Sequence, residues 1–297
     1  MTFPDSFFPY LRPNEPLARY SALRLGGPAE WLYVENDSSE RLIEILSAAW
    51  AAGIPTRILG GGANVLISDN GVRGLVVINR IAQVTFSENK LTASGGHGLT
   101  VLARKCAKHG LSGLEWAASV PGTVGGAAVN NAGAHNGSMA DVLTELEIFD
   151  FERGYITLQS ADMAYAYRAS SLKQRPDRRF VVLNVTLALQ PADPDAITAT
   201  MDEFVAHRKH TQPSGASLGS IFKNPPGDYA GRLIESCGLK GCTFGGAQVS
   251  PKHANFFINR DRATAADYHA LIEHVRAVVT QKTGVILEPE VEFVGDW

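Results

Sequence analysis

Two glycine-dense segments hold the residues best suited to chemistry. In "RILGGGANVLISDNGVRGLVV", residues 57–77, Gly60, Gly61 and Gly62 separate an apolar run ending at Leu59 from another beginning at Val65, with Ala63 and Asn64 at the exit. Glycine enters backbone regions closed to other residues. The run therefore reads either as a tight turn between strands or as a loop whose bare N–H groups wrap an anion such as a pyrophosphate. One glycine suffices for a turn, and Asn64 adds a polar side chain, so the anion loop is favoured. The second segment, "ASVPGTVGGAAVNNAGAHNG", residues 118–137, sets Gly122, Gly125, Gly126 and Gly133 around Asn130 and Asn131. Turn residues ordinarily mean a surface loop. Here Val124, Ala127, Ala128 and Val129 lie between the glycines and imply a buried one, whose backbone polar groups need partners. A large polar cofactor against both loops meets that need, which favours a dinucleotide in an extended cleft.

Several other chemistries are excluded. No GxGxxG follows a strand, so the Rossmann fingerprint is missing. The chain contains no Gly-Lys dipeptide, which removes the P-loop, and no HExxH; its histidines are scattered, so no metal site is indicated. "GASLG", Gly215 to Gly219, matches GxSxG at Ser217. A nucleophile elbow needs a strand before the serine and a helix after it. A helix ending at Pro213 precedes this one, and Pro225 and Pro226 follow, so a serine hydrolase is a poor alternative.

The chain of 297 residues is 45% hydrophobic, enough for a large core and two or three domains. A net charge of −3 with 19% charged residues supplies no basic field for nucleic acid or an acidic membrane. Cys106, Cys237 and Cys242 form no CxxC and read as free thiols in a reducing compartment. No apolar run reaches membrane-spanning length. The start, "MTFPDSFFPYLRPNEP", lacks the features of a signal peptide, so a soluble, cytoplasmic protein is expected.

Helices and strands alternate irregularly. "SSERLIEILSAAWAAGIP" predicts a helix capped by Ser38 or Ser39, with Leu42, Ile43, Leu46 and Trp50 as its apolar stripe and Gly53 and Pro55 ending it. "TRILGGGANVLI" reads as strand, loop, strand. "LTVLARKCAKHGLSG" predicts a helix capped by Thr100, and "ITATMDEFVAHRKHTQP" another running into Pro213. "ELEIFDF" and "RFVVLNVTLALQP" are strand-like. "TAADYHALIEHVRAVVTQKTG" is the clearest helix, with Thr264 as N-cap, Gly284 closing it, and Tyr268, Leu271, Ile272, Val275 and Val279 as its stripe. "VILEPEVEFVG" reads as an edge strand interrupted by Pro289. Seams near Arg80, and at "QPADPD" or Pro213, suggest an N-terminal α/β unit, a strand-rich middle and a C-terminal unit.

Taken in order, "SALRLGGPAEWL", "ILGGGANVLI", "GLEWAASVPGTVGGAAVNNAGAH", "YRASSLK", "GSIFKNPPG", "AGRLIESCGLKG", "GGAQVSPKHANFFIN" and "LEPEVEFVG" resemble the UDP-N-acetylenolpyruvoylglucosamine reductase family, from about Tyr20 to the C-terminus. The likeness is to its shorter form, which lacks an inserted tyrosine-bearing loop. Ser119 stands where the family often has glycine, and His135 where an aromatic or histidine is usual.

The resemblance implies an α+β fold: a two-subdomain FAD-binding module of the vanillyl-alcohol-oxidase-like (PCMH) type, residues 1–80 and 81–205, then an α/β substrate-binding domain, 206–297. It implies NADPH-dependent reduction of UDP-N-acetylglucosamine enolpyruvate to UDP-N-acetylmuramate for bacterial cell-wall synthesis. FAD would be held without a covalent bond by Leu59, Gly60, Gly61, Gly62, Ala63, Asn64 and Val65, and by Pro121, Gly122, Thr123, Gly125, Gly126, Asn130, Ala132 and Gly133. Flavin N5 would deliver hydride to the alkene carbon, leaving charge that runs into the adjacent carboxylate. Arg168 would grip that carboxylate, as a guanidinium can; its ordinary alternative is a surface salt bridge. Ser220 would then protonate the carbon, although without the resemblance Ser217 is as ready a choice. Glu290 would hydrogen-bond the enolate. On a strand, Glu288, Glu290 and Glu292 share one face, so one of them could stay protonated; a solvated edge strand is the alternative. Lys223, Asn224 and Gln248 would contact the sugar nucleotide. Another flavin oxidoreductase on the same scaffold, or a nucleotide-binding module without catalysis, are the competing readings.

Overall fold

A computed structural model describes residues 5–297, so the first four residues of the N-terminal stretch discussed above lie outside the described residues. Two compact units emerge, each assembled from separate stretches of chain. Unit 1 comprises Met1–Arg12, Trp31–Gly61 and Gly74–His207; unit 2 comprises Pro13–Glu30, Gly62–Arg73 and Arg208–Trp297. Among the described residues, no helix is long and apolar enough to cross a membrane.

Unit 1 contains two sheets. In the first, strand residues 31–35, 74–79 and 56–59 lie side by side, the last two parallel with Thr56 opposite Leu75 and Leu59 opposite Ile78. Helix α1 (Ser39–Ala51) covers this sheet. Ser38 caps it by accepting from the Arg41 N–H at 3.2 Å. Its buried stripe is Leu42, Ile45, Leu46, Ala49 and Trp50; Ile45 replaces the expected Ile43, which is half-buried. The second sheet is antiparallel, in the order Gly154–Gln159, Leu143–Asp150, Phe180–Ala188, Lys90–Ser94, Val84–Ser87.

Helices α2 (Leu99–Lys108) and α3 (Val124–Asn130) pack on the second sheet, around a core that includes Leu102, Cys106, Trp116, Val124, Ala128, Leu146 and Val185. Two expectations are corrected here. Gly98, not Thr100, occupies the cap of α2, and the Thr100 hydroxyl instead donates to the Val120 carbonyl at 2.9 Å. Residues 124–130 are helical rather than a loop. Their two glycines are poor helix formers, but a Cβ on Gly125 would lie 2.8 Å from the Gly95 carbonyl oxygen, so close packing demands glycine there. A short helix α4 (Ser171–Gln174) follows, and α5 (Pro194–Thr211) starts three residues before the expected Ile197.

Unit 2 has an antiparallel sheet of Thr243–Phe244, Ala247–Val249 and Phe257–Asn259. Helices α6 (Ala230–Ser236) and α7 (Ala265–Thr283) share its apolar core. Helix α7 forms as expected: Thr264 and Asp267 make a reciprocal capping box, Gly284 closes it at φ +75°, and all five stripe residues are buried. Tyr268 is fully buried and donates its hydroxyl to the Phe257 carbonyl at 2.8 Å. The tail is a strand only over Glu292–Val294, parallel to Val65–Ile67. Residues 288–290 depart from it because Pro289 bridges to Phe222. Glu288, Glu290 and Glu292 therefore do not lie on one continuous strand.

Candidate functional site

In unit 1 the two glycine segments meet backbone to backbone. A Cβ on Gly60 would lie 2.2 Å from the Thr123 hydroxyl oxygen, and one on Gly61 would lie 2.8 Å from the Gly122 Cα. The backbone of the neighbouring loop thus requires glycine at 61, whereas at 60 the obstacle is the Thr123 side chain. Thr123 caps α3, its hydroxyl accepting from the Gly126 N–H at 3.3 Å. Among the described residues, the N–H groups of Gly61, Gly122 and Thr123 donate to no protein acceptor. Ser119, at the foot of the second loop, buries a hydroxyl without a partner. Converging bare amides are the donor set that a diphosphate takes up, so the residues present fit FAD.

The end of α3 holds Arg168. Asn131 ends that helix in the left-handed region at φ +45°. Its side chain donates to the Ala166 carbonyl at 2.9 Å and accepts from the Ala140 N–H at 3.0 Å. The carbonyls freed at this turn receive the guanidinium: Nη1 to Asn131 at 3.3 Å and Nη2 to Gly133 at 2.7 Å. Arg168 itself sits at φ +55°, and Lys173 donates to its carbonyl at 3.2 Å. Just upstream, Tyr165 donates to the Ala128 carbonyl at 2.8 Å, and burial pushes its phenol well above the ordinary range. Asn130 donates its amide to the Gly126 carbonyl at 2.9 Å, and the Ala132 N–H donates to Ala127. Leu59 is buried at the end of its strand, whereas Pro121 is exposed.

In unit 2, Gly62 continues the first glycine run at φ +58°, with the Tyr20 carbonyl oxygen 2.0 Å from where a Cβ would be. Ala63 leads to Asn64, whose side-chain amide donates to the Glu290 carbonyl at 3.1 Å while its own carbonyl accepts from the Glu292 N–H at 3.0 Å. Val65 begins the strand paired with Glu292. The Glu290 N–H donates to the Ile221 carbonyl at 2.7 Å, so the segments bearing Ser220 and Glu290 are hydrogen-bonded to each other. Ser220 is half-buried, and its backbone bridges to Phe256. The sugar-nucleotide candidates all have partners within the protein. Lys223 pairs with Glu288, Asn224 accepts from the Ala230 N–H at 3.1 Å at the start of α6, and Gln248 donates to Gly241 at 3.2 Å.

Two residues that hold the segments bearing these candidates carry no role in the sequence reading. Asn131 is one. The other is Asn255, 3% exposed, whose amide accepts from the Phe222 N–H at 3.0 Å and donates to the Phe222 carbonyl at 2.8 Å, fixing the chain beside Ser220. Both lie inside segments that carry the family resemblance, but nothing in their residue type separates them from the turn asparagines around them. Among the described residues no group of His, Cys, Asp or Glu could hold a metal ion.

Comparison with known proteins bears on both units. Residues 32–158 match a family described as FAD binding domain, and residues 211–294 match UDP-N-acetylenolpyruvoylglucosamine reductase, C-terminal domain. A UDP-N-acetylenolpyruvoylglucosamine reductase from Moorella thermoacetica is 45% identical over 285 residues, covering 95% of this chain and 93% of the relative. One from Levilactobacillus brevis is 42% identical over 285 residues, covering 95% and 92%. The crystal structure of the Thermus caldophilus UDP-N-acetylenolpyruvylglucosamine reductase superposes with a TM-score of 0.81 at 33% identity, covering 96% of this chain and all of that one. The architecture is accordingly a PCMH-type FAD-binding domain with a C-terminal substrate-binding domain.

Proposed function

The chain belongs to the UDP-N-acetylenolpyruvoylglucosamine reductase family, a flavin-dependent oxidoreductase family, and from that premise we propose how its own residues perform the reaction. The substrate is UDP-N-acetylglucosamine enolpyruvate and the product UDP-N-acetylmuramate, a precursor of peptidoglycan, made in the cytoplasm. Residues 1–80 and 81–205 act as the two FAD subdomains and 206–297 as the substrate domain. FAD held by these residues would supply the hydride chemistry, with NADPH as the reductant.

The Gly60–Val65 and Pro121–Gly126 loops hold the cofactor through main-chain amides, without a covalent bond. Arg168 holds the carboxylate of the enolpyruvyl group, where negative charge accumulates once hydride has arrived; a fixed cation there acts most strongly in the transition state. Glu290 shares the enolate's charge through a hydrogen bond. Ser220 gives its proton to the carbon. A hydroxyl is a weak acid, so this step works only against a strongly basic carbon. Lys223, Asn224 and Gln248 meet the sugar nucleotide.

The observation that best supports this reading is the 2.7 Å bond from the Glu290 N–H to the Ile221 carbonyl, which joins the segments bearing Ser220 and Glu290. Separate measurement of the two half-reactions tests it. Ser220→Ala is expected to leave reduction by NADPH near normal and to slow reoxidation by the enolpyruvyl substrate by about two to four orders of magnitude. Ser217→Ala should alter neither. Equal large losses in both variants would mean that Ser220 is not the donor.

A further inference from the structure

We propose that His97, held as the neutral imidazole by Lys105, is a positioning residue for the second glycine loop, so that the loop grips FAD only while His97 is unprotonated. This rests on the reading of Pro121–Gly126 as part of the FAD site.

The segment Gly95–Leu99 is the frame of that loop. Gly125 donates its N–H to the Gly95 carbonyl at 2.9 Å, Val124 donates to the His97 carbonyl at 2.9 Å, and Leu99 donates to the Gly122 carbonyl at 3.0 Å. From its other side the frame has no room to retreat. A Cβ on Gly95 would lie 2.4 Å from the Val182 carbonyl oxygen, and one on Gly96 would lie 2.6 Å from the Ile81 nitrogen. Any change in the His97 ring is therefore passed to the loop rather than absorbed behind it.

The ring is 2% exposed, and both its nitrogens are engaged. Nδ1 lies 3.0 Å from the Gly98 carbonyl oxygen, and Nε2 lies 3.1 Å from the Lys105 ammonium. A carbonyl can only accept and an ammonium can only donate. Hence Nδ1 carries the hydrogen and Nε2 is bare: one neutral tautomer satisfies both contacts. A proton added at Nε2 would abolish the bond from Lys105 and set two cations against each other. Lys105, on α2, is the charged group acting on the ring among the described residues. Burial lowers the imidazole's pKa most; the Gly98 carbonyl opposes this, Lys105 adds to it, and the net shift is downward. The protonated ring must leave its place, and Gly98, whose backbone bridges to Thr123, moves with it.

The test is the affinity of the apoprotein for FAD, followed by flavin fluorescence from pH 8 to pH 5. Wild-type affinity is expected to hold through neutrality and then to fall, by roughly tenfold per pH unit below the ring's pKa. His97→Gln, which keeps a polar side chain without a titrating one, should bind FAD with a flat profile. Lys105→Met removes the opposing charge, so the fall should begin at higher pH. A His97→Gln profile matching wild type, or a Lys105→Met midpoint that stays or moves down, overturns the proposal. Wild-type apoprotein that fails to take up FAD at pH 8 overturns the loop's assignment as well, whereas tight but pH-independent uptake removes the role of His97 alone.

Discussion

Asn64 donates its side-chain amide to the main-chain carbonyl of Glu290 at 3.1 Å, across 226 residues of sequence. The polar residue at the exit of the first glycine run is thus engaged in holding the backbone of the proposed acid. With the Glu290 N–H bound to Ile221, both backbone polar groups of Glu290 are fixed from opposite neighbours.

Asn64→Ala separates positioning from cofactor binding. Flavin content should stay near wild type, because the bare amides of the loop remain. Reoxidation by the enolpyruvyl substrate should slow by about one to two orders of magnitude, the effect of a modest misplacement of a reacting group. Stopped-flow absorbance of the flavin reads both quantities. A variant that loses its flavin but reoxidises normally when reloaded would assign Asn64 to the cofactor instead.

The glycine loops make a graded prediction. An added methyl at Gly60 meets a side-chain hydroxyl, which can turn away at the cost of the α3 cap, about 1 kcal/mol. At Gly61 it meets backbone, which cannot turn away. Gly61→Ala should therefore lose more flavin than Gly60→Ala, and Gly61→Val should purify mostly as colourless apoprotein. The ratio of flavin to protein absorbance measures this. Full flavin content in Gly61→Val would mean that the contact with Gly122 has no bearing on the cofactor.

How much of this was legible in the sequence depended on where each signal was stored. Helix α7 carries its start, stop and apolar stripe within one segment, and all were readable. Helix α3 was hidden because Gly125 answers to Gly95 and Val182, distant in sequence, and local propensity pointed the other way. The continuous strand expected through Glu288, Glu290 and Glu292 failed for a similar reason: Pro289 pairs with Phe222, and no local pattern announces that bridge. The glycine run was readable as an unusual loop, but its nearest neighbour proved to be another stretch of protein. Arg168, Ser220 and Glu290 came from resemblance to a family, since an arginine, a serine and a glutamate have many ordinary uses.

A buried carboxylate in unit 1 should give the protein acid sensitivity. Glu35 is 2% exposed. Burial alone would raise its pKa, but bonds from the Tyr33 hydroxyl and the Asp37 and Ser38 N–H groups, with Arg41 nearby, bring the net below the ordinary value. A depressed folded-state pKa contributes stability above the unfolded value of about 4.5 that is lost as pH falls through the folded one. Glu35→Gln should destabilise by about 1–3 kcal/mol near pH 7, and the gap to wild type should narrow below about pH 4. Urea unfolding at the two pH values checks this; a gap that stays constant would mean the carboxylate's charge contributes nothing.

Arg168 offers the sharpest test of the chemistry. Its guanidinium donates to the Asn131 and Gly133 carbonyls, and its five donors lie in a fixed plane whose fork matches a carboxylate. Arg168→Lys keeps the charge, but an ammonium is a single point that cannot hold two carbonyls in that geometry and present a planar fork as well. The charge it should stabilise exists only after hydride arrives, so the loss should fall on turnover rather than on substrate affinity. Reduction by NADPH and flavin content should be near normal, while reoxidation by the enolpyruvyl substrate falls roughly a hundredfold to a thousandfold, as when a transition-state donor is removed. Asn131→Ala provides the comparison, since it loosens the turn that seats Arg168 without touching the charge; its loss should lie in the same half-reaction and be smaller. Normal reoxidation in Arg168→Lys would remove the arginine from the mechanism and return it to the ordinary role of pinning the end of α3.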